Sequence, residues 1–158
     1  MPKHVLIIDD EEISRYVLRQ FLVGGAVSTV TIAMHALIMI VLIGVARSVS
    51  ARSKARPYEH LVLVMVPTVM VLMATHTAEV LVWALGYWLV DATPEGADRV
   101  YFAFVNFATL GYGDIVPVAR WRILGPIAAM NGALLFGWST AVIFEVMRRA
   151  LRQVDRRG

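Results

Sequence analysis

The chain is 158 residues long, 58% hydrophobic and free of cysteine, with a mean hydropathy of +0.66. That places it with integral membrane proteins and excludes a disulfide framework or a thiolate metal centre. Its net charge of +3 does not mark a nucleic-acid binder, because the cations, all arginine except Lys3 and Lys54, gather just outside apolar runs as cytoplasmic membrane flanks do.

Residues 1–20 stand apart from the rest. Residues 4–8 form a short β-like run, followed by Asp9, Asp10, Glu11 and Glu12 and a polar helical pattern to Gln20. The segment resembles the opening strand and first helix of a response-regulator receiver domain, in which paired acids hold magnesium beside a phosphoacceptor aspartate. The resemblance stops near residue 22, whereas a receiver needs about a hundred further residues of alternating strand and helix. We read residues 1–20 as a non-functional fragment, left by a gene fusion or an upstream start codon, whose acids at most cap a helix start.

Residues 21–46 carry no charge and suffice for one spanning helix. The run is too long for a signal-peptide core, and its N-terminal flank is acidic, so it is a retained span. His35 lies near its middle, where a neutral imidazole finds a partner on a neighbouring helix. Arg47, Arg52, Lys54 and Arg56 then make the following loop cytoplasmic. Residues 61–90 form the second span; Pro67 is a candidate kink, and Trp83, Tyr87 and Trp88 suggest an interfacial aromatic belt. His76 and Glu79 are three residues apart and share one helix face. An unpaired ionised carboxylate at that depth costs about 2.5 kcal/mol or more, so Glu79 must be paired, hydrated or protonated. Two readings follow: a fixed brace to the pore helix or last span, or a proton shared with His76 and His35 that titrates between about pH 5 and 8.

After a short acidic loop, residues 100–108 are long enough to enter the membrane as a helix and too short to cross it. Next come Thr109, Leu110, Gly111, Tyr112, Gly113 and Asp114, with a turn closed by Pro117. A backbone whose successive carbonyls all face one axis needs dihedrals that side chains disfavour, and Gly111 and Gly113 supply them at alternate positions. Rings of such oxygens, with the Thr109 hydroxyl at the inner end, replace the water shell of a potassium ion. Residues 123–147 form the last span, with Gly132 and Gly137 as positions for a hinge or a close helix crossing. Asn131 is placed to bond a neighbouring helix or face a pore, and the arginine-rich tail is cytoplasmic.

The stretch from Thr109 to Asp114 resembles the filter of the potassium-channel pore family, T-[VL]-G-Y-G-[DN] after a short pore helix. Tyr101 to Ala108 stands where the pore helix would be, Asp114 is the outer-mouth acid, and Pro117 and Trp121 sit where the chain turns into the inner helix. The resemblance runs from about residue 25 to 150. His35, then His76, Glu79, Trp83, Ala84 and Tyr87, then Gly137, Trp138, Ser139 and Thr140 look like a small bacterial subgroup with three spans. Leu110 departs from the commoner valine, and Val105 stands where several relatives carry a glutamate that braces the filter. The resemblance implies an all-α membrane protein with a re-entrant pore helix and filter between the second and third spans. It also implies a non-enzymatic homotetramer in a bacterial plasma membrane that conducts K+ without a cofactor. The basic flanks put the N-terminus outside and the C-terminus in the cytoplasm. The rival readings are a nonselective cation channel, a membrane-tethered signalling fragment headed by the receiver-like segment, and a membrane metalloenzyme using His35, His76 and Glu79.

Overall fold

The computed structural model describes residues 10–52 and 57–155. Within them the chain is all-helical: α1 (Asp10–Arg52), α2 (Pro57–Leu89), a short α3 (Arg99–Phe107), a 3-10 turn at Ala119–Trp121, and α4 (Leu124–Asp155). Three stretches, Ser14–Ser48, Glu59–Leu89 and Ala119–Arg152, are long and apolar enough to cross a membrane, as the three expected spans require. The strand-like run at residues 4–8 lies outside the described residues, as do Lys54, Arg56, Arg156 and Arg157.

The first helix starts earlier than the charge-free run. The polar pattern after Asp10 and the apolar run after Phe21 form one continuous helix, with Asp10, Glu11 and Glu12 in its first turn, where the helix dipole favours carboxylates. Helix α2 continues through Pro67 without a break. The expected aromatic belt is corrected in part: Trp83 and Tyr87 are buried inside the bundle, and only Trp88 is exposed. Their rings are needed for packing between α2 and α3, which outcompetes the interface.

The long helices pack on one another in two zones. In one, Val80, Trp83, Ala84 and Tyr87 of α2 meet Phe102, Ala103 and Phe107 of α3 and Leu124, Ile127, Ala128 and Leu135 of α4. In the other, towards the opposite end, Met39 and Leu42 of α1 meet Val64 and Leu72 of α2 and Val142 and Val146 of α4. Lipid is as apolar as these side chains, so the zones hold together by close packing and interhelical hydrogen bonds rather than by escape from water. The outward faces, among them Leu37, Ile40, Met70 and Leu81, are exposed and apolar, as lipid contact requires.

Helix α3 lies between α2 and α4 and packs on both. It starts where Asp98, in extended backbone, accepts hydrogen bonds from the N–H groups of Val100 and Tyr101, both at 3.0 Å. It stops because Thr109 takes a left-handed φ of 59°, which no right-handed helix accommodates.

Candidate functional site

The segment after α3 is irregular backbone with an ordered division of its peptide groups. Thr109 N–H donates to Asn106 O and Leu110 N–H to Val105 O, both at 2.9 Å, and Gly111 N–H reaches Val105 O at 3.5 Å. These three N–H groups are thus turned back onto the end of α3. Among the described residues, no carbonyl from Thr109 to Gly113 accepts a backbone or side-chain hydrogen bond. Positive φ recurs at every second residue, 59° at Thr109, 62° at Gly111 and 76° at Gly113. In a strand, successive carbonyls alternate in direction; reversing the sign of φ at alternate residues brings them to one side. The glycines reach that conformation without a Cβ clash, and Thr109 holds it at a cost of about 1–2 kcal/mol.

All six residues from Thr109 to Asp114 are exposed in the single chain. One contact ties the far end down: the Tyr101 hydroxyl donates to Asp114 Oδ2 at 2.7 Å. Val105 is buried and braces the segment through its carbonyl rather than its side chain. Beyond the loop, Val118 N–H donates to Ala92 O at 2.9 Å, joining the returning chain to the α2–α3 connection.

Gly132 and Gly137 of α4 have different surroundings. A Cβ on Gly132 would stand 2.0 Å from the Phe107 carbonyl oxygen, while nothing lies within 4 Å of one on Gly137. Gly132 is therefore the point where α4 passes against the end of α3. One residue earlier, Asn131 Oδ1 accepts from Thr31 Oγ1 at 2.9 Å and from Trp83 Nε1 at 3.0 Å, so a single buried amide ties α1, α2 and α4.

His35, His76 and Glu79 come together from two helices. Glu79 is fully buried, with Oε1 2.7 Å from His35 Nδ1 and Oε2 2.8 Å from His76 Nδ1. The other nitrogen of His76 is 2.9 Å from Ser139 Oγ on α4. Ligand atoms of the three residues all lie within 4.8 Å of one another. The nitrogen–oxygen distances are nonetheless those of hydrogen bonds, shorter than the roughly 3.3 Å between ligands around a tetrahedral zinc.

Sequence reading did not single out Gln20, Tyr101 or Ser139 as contact residues. Gln20 is buried, and its side-chain oxygen accepts from Ile123 N–H at 2.7 Å across 103 residues of chain. A glutamine in a polar stretch beside an apolar run gives no local sign of such a partner.

A protein-family model described as an ion channel matches residues 62–149, more than half of the 158-residue chain. No curated protein and no solved structure matches the chain.

Proposed function

Because the chain belongs to the ion channel family, we propose that it is a potassium-selective channel subunit. It conducts K+ passively through a filter made by Thr109, Leu110, Gly111, Tyr112 and Gly113, with Asp114 at the outer mouth. The observation that carries this reading is the division of peptide groups in the loop: the N–H groups of Thr109, Leu110 and Gly111 bond to α3, while the carbonyls on the alternating-φ backbone accept no hydrogen bond among the described residues. Such carbonyls supply the neutral oxygen ligands that a dehydrated K+ needs. The C-terminal end of the α3 dipole adds partial negative charge. Neither role calls for a cofactor or a catalysed reaction.

One loop presents its oxygens from one side only, and exposed irregular backbone at membrane depth is stable only when protein or water covers it. Four copies around an axis satisfy both demands, so the active form is a homotetramer in a bacterial plasma membrane. The basic flanks of α1, α2 and α4 favour an orientation with the filter mouth and N-terminus outside and the C-terminus in the cytoplasm.

The test is cation flux into liposomes containing the purified protein, K+ against Na+. The expected result is K+ flux well above Na+ flux. Equal permeation of the two would replace the reading with a nonselective cation pore, and absence of flux at every pH and voltage tried would return the protein to a membrane-tethered fragment.

A further inference from the structure

Where α1, α2 and α4 meet, the bundle buries a cluster that conduction along the filter does not use. Glu79 and His35 have no solvent exposure, and His76 very little. The groups facing the carboxylate are His35 from α1 and His76 from α2. Helix α4 meets the cluster with Ser139 and Trp138, and α3 with Phe107, none of them titrating in the neutral range. No lysine or arginine is among the described contacts, so any charge here is set by protons alone.

The protons can be counted. With both imidazoles neutral, each donates its Nδ1–H to Glu79, the Ser139 hydroxyl donates to His76 Nε2, and the cluster carries one negative charge inside the bilayer. One added proton makes it neutral, and a second leaves one positive charge. His35 Nε2 is buried with no hydrogen-bond partner, which leaves a protonation position that no neighbour occupies. The His76 ring lies 4.6 Å from the Phe136 ring and 6.3 Å from that of Phe107, the last residue of α3.

We propose that His35, Glu79 and His76 form a buried proton-binding site, and that the second added proton, taken up in acid, reduces potassium conduction. The inference rests on the channel reading above. Imidazole is the side chain that ordinarily changes charge between pH 5 and 8, and Glu79, within 2.8 Å of both rings, joins the two imidazoles into one hydrogen-bonded unit. The second proton places a net positive charge beside the end of α3, where the carbonyl charge favours a cation. At an effective dielectric constant of about 20, an added unit charge changes the occupancy of a nearby ion on the order of tenfold.

The experiment uses the full-length protein in liposomes with the same pH on both sides, read as the ratio of K+ flux at pH 8 to that at pH 5.5. The wild type is expected to give a ratio of about ten. His76→Gln leaves one imidazole to balance one carboxylate, and its ratio falls below about two whatever its absolute flux. Glu79→Gln likewise departs from the wild-type profile. A second readout is independent of conduction: the His35 ring lies 5.2 Å from the Trp138 ring, and imidazolium quenches indole fluorescence. The Trp138 emission, isolated by comparison with Trp138→Phe, dims over the same pH range in the wild type and not in His35→Gln. Parallel flux profiles in wild type and both cluster variants would overturn the proposal. So would a wild-type response that requires added Zn2+ and vanishes with a chelator. If the wild type conducts nothing at pH 8 while the Trp138 emission still follows pH, the channel reading has failed and the proton site has not.

Discussion

The close approach at Gly132 gives the sharpest test of how α4 supports the pore loop. In Gly132→Ala the new methyl carbon would stand 2.0 Å from the Phe107 carbonyl oxygen, and ordinary contact begins at 3.4 Å. The neighbour is backbone at the end of α3, so no side-chain rotation relieves the clash, and the two helices must separate by roughly the missing 1.4 Å, the difference of those distances. Overpacking of this kind costs about 1–3 kcal/mol. Alanine returns about 1 kcal/mol through helix propensity, leaving a net loss of up to about 2 kcal/mol. Gly137→Ala has the propensity gain and no clash, so the two substitutions are expected to change stability in opposite directions. The assay is thermal denaturation of the purified protein in detergent, followed by loss of the monodisperse peak in size-exclusion chromatography, with K+ flux measured in parallel. Gly132→Ala should lower the midpoint and the flux; a midpoint and flux equal to those of Gly137→Ala would refute the close-crossing argument.

Gly111→Ala and Gly113→Ala put a Cβ on left-handed backbone and should abolish K+ flux while leaving membrane insertion intact, checked by flux and by membrane fractionation. Asn131→Leu removes the acceptor shared by Thr31 and Trp83; it should destabilise the protein by about 1–2 kcal/mol in a denaturation series, the upper range for interhelical bonds in membranes. Tyr101→Phe deletes the hydroxyl bonded to Asp114, and single-channel recordings should show shorter openings because the outer end of the loop loses its tie. Gln20→Ala leaves Ile123 N–H without its acceptor and should lower the thermal midpoint by an amount equivalent to about 1 kcal/mol.

The spans were legible because apolar runs of that length with at most one charged residue each have no soluble alternative, and α3 because it is too short to cross a membrane. Its boundaries came within a residue of those expected. The glycines of the loop announced the left-handed backbone, but Thr109, β-branched and equally left-handed, did not. The early start of α1 at Asp10 was obscured by composition: a helix that leaves the hydrocarbon changes from apolar to polar residues without ending. The pairing of His76 with Glu79 follows from their three-residue spacing. The arrival of His35 does not, since it depends on how α1 is rotated against α2, and no local pattern records that angle. The Gln20 and Asn131 contacts bridge 103 and 100 residues of sequence and are visible only once the helices are assembled.

Helix α1 lies outside the region matched by the ion channel family model, yet it is fastened to that region at three successive heights. Gln20 holds Ile123, Thr31 holds Asn131, and His35 holds Glu79. All three fastenings are directional and lie towards the end of the bundle that carries the pore loop. Beyond His35 the contacts change in kind, to Met39 and Leu42 against Val64, Leu72, Val142 and Val146, and apolar surfaces have no preferred angle at which they must meet. The chain is therefore latched at one end and greased at the other. Rearrangements that leave the loop untouched are cheapest as a fanning of the three helices at their far ends, with the polar latches as the pivot.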